Sequence, residues 1–225
     1  MIVAAPAIVR KAPLERREVM LGRSEHGRPV VAWEVGDPSR SRKALVVGCI
    51  HGNEPAGIAI ADALALVPAP GKTDLWIVPD LNPDGVAAGT RQNADGVDLN
   101  RNFPWQWRPI GHPGTTFYPG TGALSERESR IAYRLILRLR PVVSIWFHQH
   151  LALVDESGGA VDVERRFAQV AGLPLRRLAR YPGSVTTWQD HAFPGTTAFV
   201  VELPAGAVPA LRVKRYVRAI DAVLR

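Results

Sequence analysis

Apolar positions along the chain follow two rhythms. Short runs rich in β-branched residues fall at Val30–Val35, Ala44–Cys49, Asp74–Val78, Val142–Phe147, Leu175–Ala179 and Ala198–Glu202, each bounded by Gly, Pro or charge, and they predict strands. Longer stretches with helical spacing lie between them. The clearest opens at Ser125, where Ser125 and Glu128 stand at the spacing of a capping box, Ile131, Leu135 and Leu139 form an apolar stripe, and Pro141 stops it. Val161–Ala171 and Ala210–Leu224 predict two further helices. Strands alternating with amphipathic helices predict an α/β layered fold on a largely parallel or mixed sheet.

Residues 81–123 keep neither rhythm and are rich in Pro, Gly and Asn. An irregular segment of that length inside a compact domain is usually functional or disordered, and its residues favour function. The chain has no internal repeat, low-complexity tract or interdomain linker. Its 225 residues, 46% of them hydrophobic, fit one domain over 1–225, with 1–20 set aside as an extended N-terminal segment.

Composition narrows the picture. The longest apolar run, near residues 58–69, is interrupted by Asp62 and Pro68 and falls short of the roughly 20 residues a membrane span needs, so no transmembrane helix is expected. The N-terminal MIVAAPAIVRKAP begins apolar and turns basic, which reverses the order of a secretory signal. A single cysteine, Cys49, allows no internal disulfide. Together these features lead us to expect a cytoplasmic protein. The net charge of +7 comes from arginines spread through the predicted helices rather than gathered with aromatics, which argues against a nucleic-acid or membrane partner.

Candidate chemistry sits at strand ends. His51 and Glu54 stand three residues apart just beyond the run ALVVGCI, where open α/β sheets place their ligands. Imidazole and carboxylate are both zinc ligands, and Gly52 lets the backbone turn between them. Alone, the pair equally fits a loop whose His and Glu face water. His148 ends another apolar strand and could supply a third ligand; His150, on the same side of an extended chain, is its rival. Three protein ligands leave a fourth position open, as in a catalytic zinc site. Glu202 closes the strand Ala198–Glu202, a placement that suits a general base and equally a salt bridge to one of the many arginines.

The most specific stretch is the motif NPDG at residues 82–85 followed by RQNADGVDLNRNFP at 91–104. With HGNE at 51–54, the distant His148 and the strand ending in Glu202, it resembles the zinc carboxypeptidase family, over about residues 22–204. That resemblance implies a mixed, roughly eight-stranded twisted sheet with helices on both faces. It implies one zinc per chain on His51, Glu54 and His148, Arg91 polarising the oxyanion, and Asn100 with Arg101 binding a substrate carboxylate. Glu202 becomes general base and then general acid. An arginine fork beside a neutral amide donor suits carboxylate recognition.

Two departures stand out. Gln149 and His150 follow the third ligand where many members have Ser, and Tyr181 lies near the stretch of the mobile tyrosine of digestive members without matching its register. The chain is also shorter than those members, which implies a small or cell-wall-derived peptide substrate, such as one containing the γ-D-glutamyl–diaminopimelate bond of murein. The competing readings are a zinc deacylase of N-acyl amino acids, whose family shares an HxxE pair and a DLNR-like segment, and a non-catalytic module that binds peptide carboxylates.

Overall fold

A computed structural model describes residues 16–225. Seven strands form one mixed sheet among these residues: β1 (Arg16–Arg23), β2 (Pro29–Val35), β3 (Lys43–Val47), β4 (Asp74–Val78), β5 (Val143–Asp155), β6 (Leu175–Arg176) and β7 (Thr197–Pro204). The order is β1-β2-β4-β3-β5-β6, with β7 also paired to β5. β1, β2 and β4 pair antiparallel, whereas β4, β3, β5 and β7 run parallel. The central strands are buried along their length because helices cover both faces.

Alternation along the strands divides the core in two. Val46, Ile145, Phe147 and Phe199 point to a face covered by α1 (Ala56–Leu64), α4 (Val161–Ala171) and α6 (Ala210–Leu224). Leu45, Val47, Trp146 and Val200 point to the other, where α3 (Arg127–Leu139) contributes Ile131 and Leu135 and α5 (Val185–Ala192) contributes Val185 and Trp188. A short helix, α2 (Pro83–Ala88), follows β4. No helix among the described residues is long and apolar enough to cross a membrane.

Several elements differ from expectation. The helix expected to be capped by Ser125 has Glu126 as its N-cap, with no side-chain cap bond. Ser125 donates its hydroxyl to Glu126, and the Glu128 carboxylate turns away to accept from Glu25 N and Asn93 Nδ2. The strand expected over Leu175–Ala179 shrinks to two residues, because Leu178 N bonds the Asp155 side chain instead of a ladder partner. Residues 16–20, set aside as part of an extended N-terminal segment, belong to the edge strand β1; 1–15 lie outside the described residues.

The segment 81–123 is held by its own asparagines. Asn82 accepts from Gly85 N and donates to Ile50 O. Asn93 accepts from Val97 N, and Asn102 donates to Pro119 O. Side chains thus supply the partners that a ladder would supply elsewhere.

Candidate active site

β3 and β5 run side by side and in parallel, so the loop leaving β3 meets the carboxyl half of β5. His51 stands four residues beyond β3, and His148 shares a face with Trp146 two residues before it. The turn expected at Gly52 is present, with Glu54 N donating to His51 O at 2.9 Å, and the glycine serves a further purpose. A Cβ there would lie 1.9 Å from the carbonyl carbon of Gly85, so the HGNE loop packs directly on α2, and glycine is needed for the close approach.

Three ligand atoms converge at that point. His51 Nδ1 lies 3.0 Å from Glu54 Oε2, and His148 Nδ1 lies 3.1 Å from both. His51 and His148 are 1% and 4% exposed. A tetrahedral zinc at about 2.0–2.1 Å would hold its donors roughly 3.3 Å apart, so the neutral-imidazole and carboxylate set fits a dication. His150 is exposed and lines the same cavity without joining the cluster.

Carboxylates surround these ligands. Asp98 Oδ1 lies 3.0 Å from His51 Nε2; since a carboxylate only accepts, Nε2 carries the proton and Nδ1 is left for the cluster. Burial favours neutral His51, but Asp98 and Glu54 outweigh it and raise the imidazole pKa. Burial also opposes the charges of Glu54 and Asp98, yet His148 and His51 hold the first, and His51 with Arg91 the second, well below the usual carboxylate range. Arg91 donates Nη1 to Glu54 Oε1 at 2.8 Å and Nε to Asp98 Oδ2 at 3.0 Å. Gln149 N donates to Glu54 Oε2 at 3.1 Å.

The remaining expected residues line the same cavity of about 710 Å³. Arg101 is 5% exposed, gives Nη1 to Asn100 O, and has a buried Nε with no partner among the described residues. Its guanidinium lies 4.3 Å from the Tyr181 ring and 5.0 Å from that of Phe117, and burial lowers its pKa. Asn100 Oδ1 accepts from Val185 N at the start of α5. Glu202, half-buried, accepts weakly from Leu151 N at 3.4 Å. No arginine pairs with it among the described residues.

Two residues of the site, Asp98 and Gln149, have roles that the sequence alone does not reveal. Asp98 lies inside the segment GVDLNRNFP, but only the fold shows that its side chain reaches back to His51. Gln149, a departure from the family pattern, ties Ala56 N at the head of α1 to Pro204 O and Gly206 O beyond β7.

Comparison with known proteins agrees with this geometry. Residues 6–154 match the family model for zinc carboxypeptidase. Murein peptide amidase A of Vibrio campbellii is 32% identical over 220 residues, covering 91% of this chain and 86% of that protein. The enzyme of the same name from Escherichia coli K12 is 30% identical over 184 residues, 74% of each. The murein-tripeptide amidase MpaA of Escherichia coli O157 superposes with a TM-score of 0.76 at 26% identity, over 100% of this chain and 98% of that one. Carboxypeptidase A of Helicoverpa armigera shares the fold, with a TM-score of 0.75 at 18% identity over 92% and 68%. The chain belongs to the zinc carboxypeptidase family and is a hydrolase, not a bare binding module.

Proposed function

We propose that the protein is a zinc-dependent amidase that cleaves the amide bond next to a carboxylate-bearing residue in a small peptide, the γ-D-glutamyl–diaminopimelate bond of murein peptides. The observation that carries the carboxylate requirement is Arg101, buried beside the ligand cluster with an Nε that has no acceptor among the described residues. A buried guanidinium N–H without an acceptor is costly, and a substrate carboxylate is the acceptor its planar fork suits. The murein peptide amidases similar to this chain over most of its length support the murein assignment.

His51, Glu54 and His148 would hold the zinc. When bound there, it supplies Lewis acidity to the scissile carbonyl and lowers the pKa of water. Asn100 and Arg101 grip the carboxylate of the leaving residue and so fix which amide faces Glu202. Glu202 takes a proton from the attacking water as its oxygen bonds the carbonyl carbon, then gives that proton to the leaving nitrogen as the C–N bond breaks. Arg91, fixed by Glu54 and Asp98, keeps Nη2 for the carbonyl oxygen as negative charge develops there.

The test is product analysis by mass. Zinc-loaded protein is incubated with L-alanyl-γ-D-glutamyl-meso-diaminopimelate, simple C-terminal L-peptides and N-acyl amino acids. Release of diaminopimelate and the L-Ala-D-Glu dipeptide is expected. Turnover confined to N-acyl amino acids would instead identify a deacylase.

A further inference from the structure

The cavity extends well past the catalytic cluster. Val200 and Glu202 both line it and stand two residues apart on one face of β7, about 7 Å along the strand. Beyond the cluster β5 turns back on itself: His148 pairs with Glu202, and then Leu153 pairs with Glu202 and Val154 with Val201. Asp155 therefore comes to lie at the Val200 end, away from the metal ligands.

Asp155 is 3% exposed and lines the cavity. Its Oδ1 accepts from Leu178 N at 2.9 Å and its Oδ2 from Arg180 Nη1 at 2.5 Å. Arg180 also gives Nη2 to Glu156 O. The side chain of Arg180 is 29% exposed against 4% for Asp155, so the carboxylate backs the guanidinium from the protein side and the guanidinium meets the cavity. Arg180 Nε has no hydrogen-bond acceptor among the described residues. Its neighbour Tyr181 lies over Arg101, and both arginines line the same cavity. Leu178, Ala179 and Thr187 line that cavity as well and carry no charge.

Building on the function proposed above, we infer that Arg180 is a specificity residue that binds a second carboxylate, at the distal end of the leaving residue, with Asp155 as its positioning residue. One arginine then reads the carboxylate beside the scissile bond and the other reads the side chain. The preferred leaving residue is a dicarboxylic amino acid long enough to span the cavity, and one that ends in an amine alone is disfavoured.

The experiment compares two tripeptides, L-alanyl-γ-D-glutamyl-meso-diaminopimelate and its L-lysine counterpart, which differ by the distal carboxylate. Wild-type zinc enzyme should show a higher kcat/KM on the first. Arg180→Gln should lose about 10- to 100-fold on the first, mainly through KM, and stay within about twofold on the second, as expected for one charge-assisted contact. Arg180→Lys should fall between. Equal losses on both tripeptides would make Arg180 a loop pin and overturn the inference alone. A wild-type enzyme that leaves both intact would overturn the proposed function with it. Should Arg180→Gln fail to fold, calorimetry of the wild-type protein with free meso-diaminopimelate and L-lysine decides: tighter diaminopimelate supports the inference, and equal affinities overturn it.

Discussion

Asp98 Oδ1 lies 3.0 Å from His51 Nε2, and its other oxygen accepts from Arg91 Nε. One buried carboxylate thus sets the tautomer of a candidate zinc ligand and the position of the Arg91 side chain. Partners of this kind typically contribute 10–100-fold to metal affinity or activity, so Asp98→Asn should weaken zinc binding by about that factor. Competition with a chromogenic chelator measures it. An unchanged zinc Kd would show that His51 holds its orientation without Asp98.

Glu202 stands in the cavity with one weak backbone contact and, among the described residues, no cationic partner. Glu202→Gln keeps the shape and removes the base, so zinc content and KM should persist while kcat falls by about 10²–10⁴. Turnover near that of the wild type would remove Glu202 from the mechanism.

Arg101 is tested by a double cycle. Free-acid and C-amidated substrates are compared on wild-type enzyme and on Arg101→Ala. If Arg101 grips that carboxylate, the two losses overlap, because one contact of roughly 1.5–3 kcal/mol can be lost only once. Strictly additive losses would place Arg101 in the service of its loop.

How far the sequence carried depended on what each signal encodes. α4 and α6 run over the residues expected, Val161–Ala171 and Ala210–Leu224, because their apolar stripes face a single core. α1 takes no bounds from the sequence because AGIAIADAL is apolar on nearly every side, so helical period does not separate it from a buried strand. His51, Glu54 and His148 could be proposed from strand ends and the family's motif, and they meet. The link from His51 to Asp98 spans 47 residues and depends on how the loop of 81–123 folds back, which no local pattern records. Asn82, Asn93 and Asn102 sit inside the same motifs as the functional residues, yet their side chains serve as scaffold.

Stability should carry its own pH signature at Asp190. Burial pushes its carboxyl up to about 6 from an ordinary 3.8, although Ala198 N and the Ser157 hydroxyl oppose this by hydrogen bonding. Between those values the folded state holds a proton that the unfolded chain has released, so this contribution is full below about pH 4 and is lost as pH rises through 6. Asp190→Asn, which keeps an oxygen for Ala198 N, should flatten that part of the profile. Urea midpoints of both proteins from pH 4 to 7 check it; parallel curves would show that Asp190 titrates alike folded and unfolded.

The central claim is that His51, Glu54 and His148 form a catalytic zinc site, and back-titration of zinc into metal-stripped enzyme tests it most directly. Turnover should rise linearly to one zinc per chain and then level, His148→Ala should neither bind zinc nor recover activity, and His150→Ala should do both. Full turnover in the stripped enzyme, or zinc lost from His150→Ala but kept by His148→Ala, would contradict the account.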